Sequence, residues 1–155
     1  MEWRLVVPGR QVRPHHTKGG GQPRIGRRRR RTGERREIFA ALDLGTNNCR
    51  LLIAHRSRNG FHVIDGFSRA VRLGEQVAET GMLSDAAMTR AIKALEVCAD
   101  KIQRRGVTLA RYVATEAARR AENCPDFIDR VRKSTGIDLE IISSREEAEL
   151  TLAGC

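Results

Sequence analysis

Residues 38–54 read IFAALDLGTNNCRLLIA: an apolar run from Ile38 to Leu42, a carboxylate at Asp43, a polar turn Gly45-Thr46-Asn47-Asn48, and a second apolar run from Cys49 to Ala54. Short apolar runs bounded by turn residues read as buried strands. A turn this short joins antiparallel neighbours, so the stretch predicts a hairpin. Asn59-Gly60 marks another tight turn, and Phe61 to Arg72 reads as a third strand.

Beyond it the period changes. Ser84 is a good N-cap with Asp85 in the first turn. Met88, Ala91, Ile92, Leu95, Cys98, Ala99 and Ile102 then recur at helical spacing, and Gly106 closes the helix. Arg111 to Ala114 reads as a fourth strand running into Thr115, with a helix following through Ala121. Pro125 opens another helix, which carries Phe127, Ile128 and Val131 on one side and stops at Gly136. Leu139 to Ile142 reads as a fifth strand, and Ser143-Ser144 begins a last helix that runs to the end of the chain.

The order is βββαβαβα. Tight connections imply antiparallel neighbours and crossover helices imply parallel ones. The expectation is an α/β fold with a mixed five-stranded sheet and helices packed on it. That pattern matches one half of the ribonuclease H-like fold of the actin-like ATPase superfamily, a step of fold analogy.

Charge divides the chain. Of the net +10, residues 1–37 hold 12 Lys/Arg against 3 Asp/Glu, whereas residues 38–155 hold 17 against 16. The basic character therefore belongs to the first segment, which Gly and Pro interrupt throughout and which includes the run Arg27 to Arg31. Such a segment buries little and is expected to be disordered. It reads either as a solvated extension or as a non-specific polyanion contact through Arg27–Arg31. No aromatic residue near the run supplies base stacking. The domain is expected over residues 38–155.

Cysteines stand at 49, 98, 124 and 155 without CxxC spacing, and the histidines complete no zinc pattern. Reduced thiols in a cytoplasmic protein are the expectation. No apolar run approaches the roughly 20 residues of a membrane span, and MEWRLVVPGR lacks the apolar core of a secretory signal.

Three constellations could carry chemistry. In Asp43-Leu44-Gly45-Thr46-Asn47-Asn48, Gly45 lets backbone approach a ligand. The turn N–H groups and the Thr46 and Asn47 side chains can donate to phosphate oxygens. Asp43 would repel a bare phosphate, so its natural role is to hold Mg²⁺, directly or through water. A plain hairpin turn with an Asx-type bond also accounts for the stretch. In Thr115-Glu116-Ala117-Ala118-Arg119, a hydroxyl at a helix start and a guanidinium one turn on suit an oxyanion. An N-cap and a solvated Arg are the alternative. In Ser143-Ser144-Arg145-Glu146-Glu147, both Ser143/Glu146 and Ser144/Glu147 have capping-box spacing.

Four stretches, in order, resemble one family. AALDLGTNNCRLLIA is similar to the opening phosphate motif of the exopolyphosphatase/guanosine pentaphosphatase (Ppx/GppA) family, usually DxGSNSxR. FSRAVRLGEQVAETGMLS resembles its loop with an R-LGE core, VATEAARRAEN its ATSALR-A-N stretch, and LEIISSREEAELTLAGC its EIISG-EEA-L---G stretch. The resemblance runs from about Ile38 to Cys155. It implies hydrolysis of a terminal phosphoryl group from inorganic polyphosphate or guanosine pentaphosphate with Mg²⁺, and a homodimer for the full-length form. By the same resemblance, Asp43, Gly45, Thr46, Asn47 and Arg50 form the first phosphate and metal site. Arg119 binds phosphate from across the cleft, and Glu147 is the general base that orients water.

There are departures. Thr46 replaces the usual Ser, Asn48 and Cys49 replace a Ser and a larger apolar residue, and Ser144-Arg145 replaces a Gly-containing turn. Family members continue into a second Gly-rich loop, DxGGGSxE, and a second actin-like domain. Neither precedes Cys155, so a truncated form with little turnover of its own is expected. Rival readings are an ATP-using member of the same superfamily and a non-catalytic polyanion-binding fragment.

Overall fold

A computed structural model describes residues 37–58 and 60–153. The segment expected to be disordered lies outside the described residues, Glu37 excepted, as do Asn59 of the second turn and the last two residues. Strands β1 (Ile38–Leu44), β2 (Asn48–Ser57) and β3 (Gly60–Ala70) come first, followed by helices α1 (Val77–Thr80) and α2 (Asp85–Arg105). Then come β4 (Leu109–Ala114), α3 (Glu116–Arg120), α4 (Cys124–Thr135), β5 (Glu140–Ile141) and α5 (Ser144–Ala153).

The five strands form one mixed sheet in the order β3-β2-β1-β4-β5. β1–β2 and β2–β3 are antiparallel, whereas β1–β4 and β4–β5 are parallel. This is the α/β, ribonuclease H-like arrangement that the connections imply. Three details differ from the expectation. β3 stops at Ala70, short of Arg72. The short helix α1 has too few residues for a readable period, and β5 pairs over Glu140–Ile141 only, because β4 ends at Ala114 opposite Ile141.

Alternation along the strands divides the sheet into two faces. Ala40, Leu42 and Leu44 of β1, Cys49, Leu51 and Ile53 of β2, and Ala110, Tyr112 and Ala114 of β4 are buried. They join Met88, Leu95, Cys98 and Ile102 of α2 and Phe127 and Val131 of α4 in the core. Burying a side chain of this size contributes about 1.5–3 kcal/mol. The opposite face carries Phe39, Ala41, Asp43, Arg50 and Leu52, with Phe39 and Phe61 meeting edge to face at 5.6 Å. Cys49 and Cys98 bring their thiols to 3.9 Å in the core. That hydrogen bond, with burial, pushes the Cys49 thiol up, so it remains protonated.

Helix α2 has the ends its sequence specifies. The Ser84 hydroxyl accepts from the Ala87 N–H at 3.2 Å, and Gly106 takes a left-handed conformation (φ 63°) past the last turn. Edge strand β3 is tied to α2 through Asp65. Lys101 Nζ and the Gly66 N–H each donate to its Oδ1 at 2.8 Å, and Arg105 Nε donates to its Oδ2 at 2.8 Å. The hydrogen bonds from Lys101 and then Arg105 hold the Asp65 carboxyl well below the usual carboxylate range. A depressed pKa contributes stability above the ordinary value of about 3.9, and that contribution is lost as pH falls. Asp65→Asn should therefore melt below the parent protein at pH 7, with the gap narrowing as pH is lowered past about 4. Thermal scans across pH test this, and equal midpoints at pH 7 would show that the tie carries no net stability.

Candidate functional site

The turn between β1 and β2 is held from two sides. Within it, the Gly45 N–H donates to the Asn48 carbonyl at 2.9 Å. From outside, residues 71–74 reach the next two carbonyls. Asn47 C=O accepts from the N–H groups of Val71 (2.8 Å) and Arg72 (3.0 Å), and Thr46 C=O accepts from Gly74 N–H (3.1 Å). A trans peptide directs its C=O and N–H to opposite sides. Pinning these two carbonyls therefore aims the N–H groups of Asn47 and Asn48 away from that segment. Among the described residues, neither the Thr46 nor the Asn47 N–H donates to a backbone carbonyl. Backbone donors aimed together in this way make an anion-binding concavity.

The fold itself does not demand glycine at Gly45, where an added Cβ would lie 3.5 Å from Asn48 O and 4.0 Å from Thr115 Oγ1. It does at Gly74, where a Cβ would meet Thr46 Cγ2 at 2.5 Å and Ala117 Cβ at 3.2 Å. Gly74 is thus the point where the turn, its supporting segment and α3 close on one another.

Charged groups gather beside the turn. Asp43 and Arg50 are direct cross-strand partners on the face of the sheet opposite α2. Thr115 leaves β4 buried, its N–H donating to Leu44 C=O at 3.2 Å and its hydroxyl beside Gly45. It makes no side-chain cap to α3, so the capping reading of Thr115 is not what the structure has. Nor is Arg119 solvated. Its Nη1 donates to Ile142 C=O at 2.6 Å, and Nη1 and Nη2 each lie 3.1 Å from Glu147 Oε2. The Glu147 side chain is 40% exposed against 21% for Arg119, so the arginine is set in the protein while the carboxylate remains open to water.

At the start of α5 only part of the capping box forms. The Ser143 hydroxyl accepts from the Glu146 N–H at 3.2 Å. The Glu146 carboxylate instead meets Arg111 Nη2 at 2.5 Å. Arg111 also grips both oxygens of Glu140 at 3.1 Å, so one side chain of β4 joins β5 and α5. No spacing rule singled out Arg111, and Gly74 stood out only as part of the R-LGE core.

Burial raises the Asp43 pKa, Arg50 opposes this, and the Glu147 charge adds to the rise. Asp43 and Glu147 therefore share one electrostatic environment. Among the described residues, no group of three or more His, Cys, Asp and Glu side chains could hold a metal ion. Mg²⁺ commonly binds through one or two carboxylates with substrate phosphates and water, and the chemistry of Asp43 fits such a carboxylate. No helix among the described residues is long and apolar enough to cross a membrane.

A model of the Ppx/GppA phosphatase family matches residues 52–155. The chain belongs to that family. Solved structures of such proteins are similar to this chain. The Aquifex aeolicus Ppx/GppA protein is 32% identical with a TM-score of 0.69 over 72% of this chain and 36% of its own. An exopolyphosphatase from Cytophaga hutchinsonii is 31% identical (TM-score 0.70) over 74% of this chain and 36% of its own. An exopolyphosphatase-like protein is 36% identical (TM-score 0.70) over 74% of this chain and 35% of its own. This Ppx/GppA chain thus spans about a third of the length of these relatives.

The raised pKa of Asp43 carries a sign that can be tested. Where the folded-state pKa lies above the unfolded value, the native state binds the extra proton, so stability falls as pH rises from the ordinary carboxylate value of about 3.9. Asp43→Asn removes this cost and the repulsion with Glu147. It should melt above the parent protein at pH 7, the difference disappearing near pH 4. A lower midpoint at pH 7 would mean that Asp43 is a stabilising partner of Arg50 instead.

Proposed function

We propose that this chain forms one wall of the active site of a phosphoanhydride hydrolase, removing terminal phosphoryl groups from inorganic polyphosphate or guanosine pentaphosphate. The observation that supports this most is the pairing of Asp43 with Arg50 and of Arg119 with Glu147, Asp43 lying in the field of Glu147, at the end of the sheet where the turn directs the Asn47 and Asn48 N–H groups outward. Two of the solved relatives are described as exopolyphosphatase or exopolyphosphatase-like, which favours polyphosphate.

In this reading Gly45, Thr46 and Asn47 cradle phosphate oxygens, and Arg50 and Arg119 offset their charge. Phosphoryl transfer proceeds through a loose transition state, so positioning and charge stabilisation supply most of the catalysis. Arg119 fixes Glu147 through Oε2 and leaves Oε1 for water. Glu147 takes a proton from that water as its oxygen bonds to the terminal phosphorus. The bridging P–O bond breaks, its electron pair leaves with the shortened chain, and orthophosphate is released. Asp43 would hold Mg²⁺, which would neutralise charge on the phosphate oxygens. In a family-length polypeptide the opposite wall comes from the remaining part.

Two measurements test this. Calorimetry on the 155-residue chain with tripolyphosphate and Mg²⁺ should detect binding that Thr46→Val and Arg50→Gln weaken. Binding that vanishes with salt and ignores both substitutions would favour the rival, a polyanion contact through Arg27–Arg31. In a family-length polypeptide carrying this segment, Glu147→Gln should lower phosphate release by roughly 10²–10⁴-fold with tripolyphosphate binding retained. Glu146→Gln should lower stability through Arg111, by about 1 kcal/mol for a pair partly open to water, and leave the rate alone. A Glu147→Gln enzyme that kept most of its kcat would end the general-base assignment. Parallel assays with polyphosphate and guanosine pentaphosphate separate the substrates.

A further inference from the structure

Arg90, on α2, reaches away from its helix to the segment that supports the turn. Its Nε donates to Val71 C=O at 3.0 Å, and its Nη2 donates to Arg72 C=O at 3.4 Å and to Glu75 Oε1 at 2.7 Å. These are consecutive points along residues 71–75. The same segment donates from Val71, Arg72 and Gly74 to the carbonyls of Asn47 and Thr46. Arg72, between them, is held at φ 48°. A side chain bearing a Cβ adopts that left-handed conformation only where its surroundings impose it. Here hydrogen bonds hold the residue on both sides, its N–H to Asn47 and its C=O to Arg90.

We propose that Arg90 is a positioning residue for the phosphate turn. Its guanidinium fixes residues 71–75, these fix the Thr46 and Asn47 carbonyls, and the opposed N–H groups are thereby aimed at the anion. This rests on the phosphate-binding reading of the turn. Arg90 does not touch the substrate in this account. A rigid fork explains why arginine rather than lysine stands there: two carbonyls and a carboxylate are gripped from one planar group, whereas an ammonium is a point charge on a flexible stem. Backbone donors give their full electrostatic value only when they are held in place before charge arrives, and misplacement by about 1 Å can cost on the order of 10²-fold.

The test uses Arg90→Lys, which keeps the charge, with Arg90→Gln beside it. Amide hydrogen exchange of the free protein, read by NMR, should show the Val71, Arg72 and Gly74 N–H groups losing protection in both variants, while the core amides of α2 keep theirs. Tripolyphosphate should bind about tenfold more weakly to both, and lysine should not rescue. Retained protection at those three amides would overturn the clamp whether or not any ligand binds. Lost protection with unchanged affinity would overturn the positioning role and leave Arg90 as a structural tie. Full rescue by lysine would replace it with simple attraction. Failure of the parent protein to bind tripolyphosphate would count against the reading of the turn, and the exchange measurement still decides the clamp.

Discussion

Strand β1 is hydrogen-bonded along both edges, antiparallel to β2 and parallel to β4. An antiparallel partner can be reached by a tight turn, but a parallel one needs a crossover. The chain therefore leaves the end of β1 by the 45–48 turn and later leaves the end of β4 by Thr115 and α3, at the same end of the sheet. β5, parallel to β4, delivers α5 there too. The Asp43–Arg50 pair of the hairpin and the Arg119–Glu147 pair from later in the sequence lie at one end of the sheet as a consequence of strand direction. The site follows from which strands are parallel, and the helices on the far face serve mainly to keep that sheet dry on one side.

Two aspartates show how differently the same group is treated at the two places. Asp65 receives three donors and lies well below its ordinary pKa, so its charge holds β3 to α2. Asp43 lies partly buried, beside one arginine and within the field of Glu147, and its pKa is raised. One carboxylate is solvated by the protein, and the other is left short of positive charge. A cation or a cation-bearing substrate is the natural remedy for such a deficit. The fold tolerates it because the turn around Asp43 is independently secured by residues 71–74.

Much of the architecture was legible in the sequence, for identifiable reasons. The hairpin announced itself through apolar runs around GTNN, and α2 through Ser84, Gly106 and a sustained helical period. Strand direction followed from connection length. The short helix α1 escaped because four residues carry no period, and β5 was overdrawn because an apolar run says nothing of where its partner strand stops. Among site residues, the turn and the TEAAR and SREEA stretches were individually ambiguous, since each satisfies ordinary turn or capping rules. What no local rule could supply was the support: Arg90 lies 43 positions after Asn47 in sequence and acts through backbone carbonyls, which leave no pattern in side-chain identity.

The helix start at Ser143 illustrates how packing resolves such ambiguity. Acidic residues in a first turn are favoured by the helix dipole, and spacing alone makes Glu146 and Glu147 equally good members of a capping box. In the structure the hydroxyl of Ser143 caps the helix, and each carboxylate is drawn by an arginine of another element. Glu146 turns to Arg111, a residue of the sheet, and completes a link among β4, β5 and α5. Glu147 turns to Arg119, which is itself anchored to Ile142 C=O. Because both Arg119 nitrogens engage a single oxygen of Glu147, the carboxylate is oriented while its other oxygen keeps its lone pairs for water. An acid serving only the dipole would need no such fixing. Two adjacent glutamates thus part into a structural tie and an oriented carboxylate open to water, and the difference comes from which arginine stands opposite each.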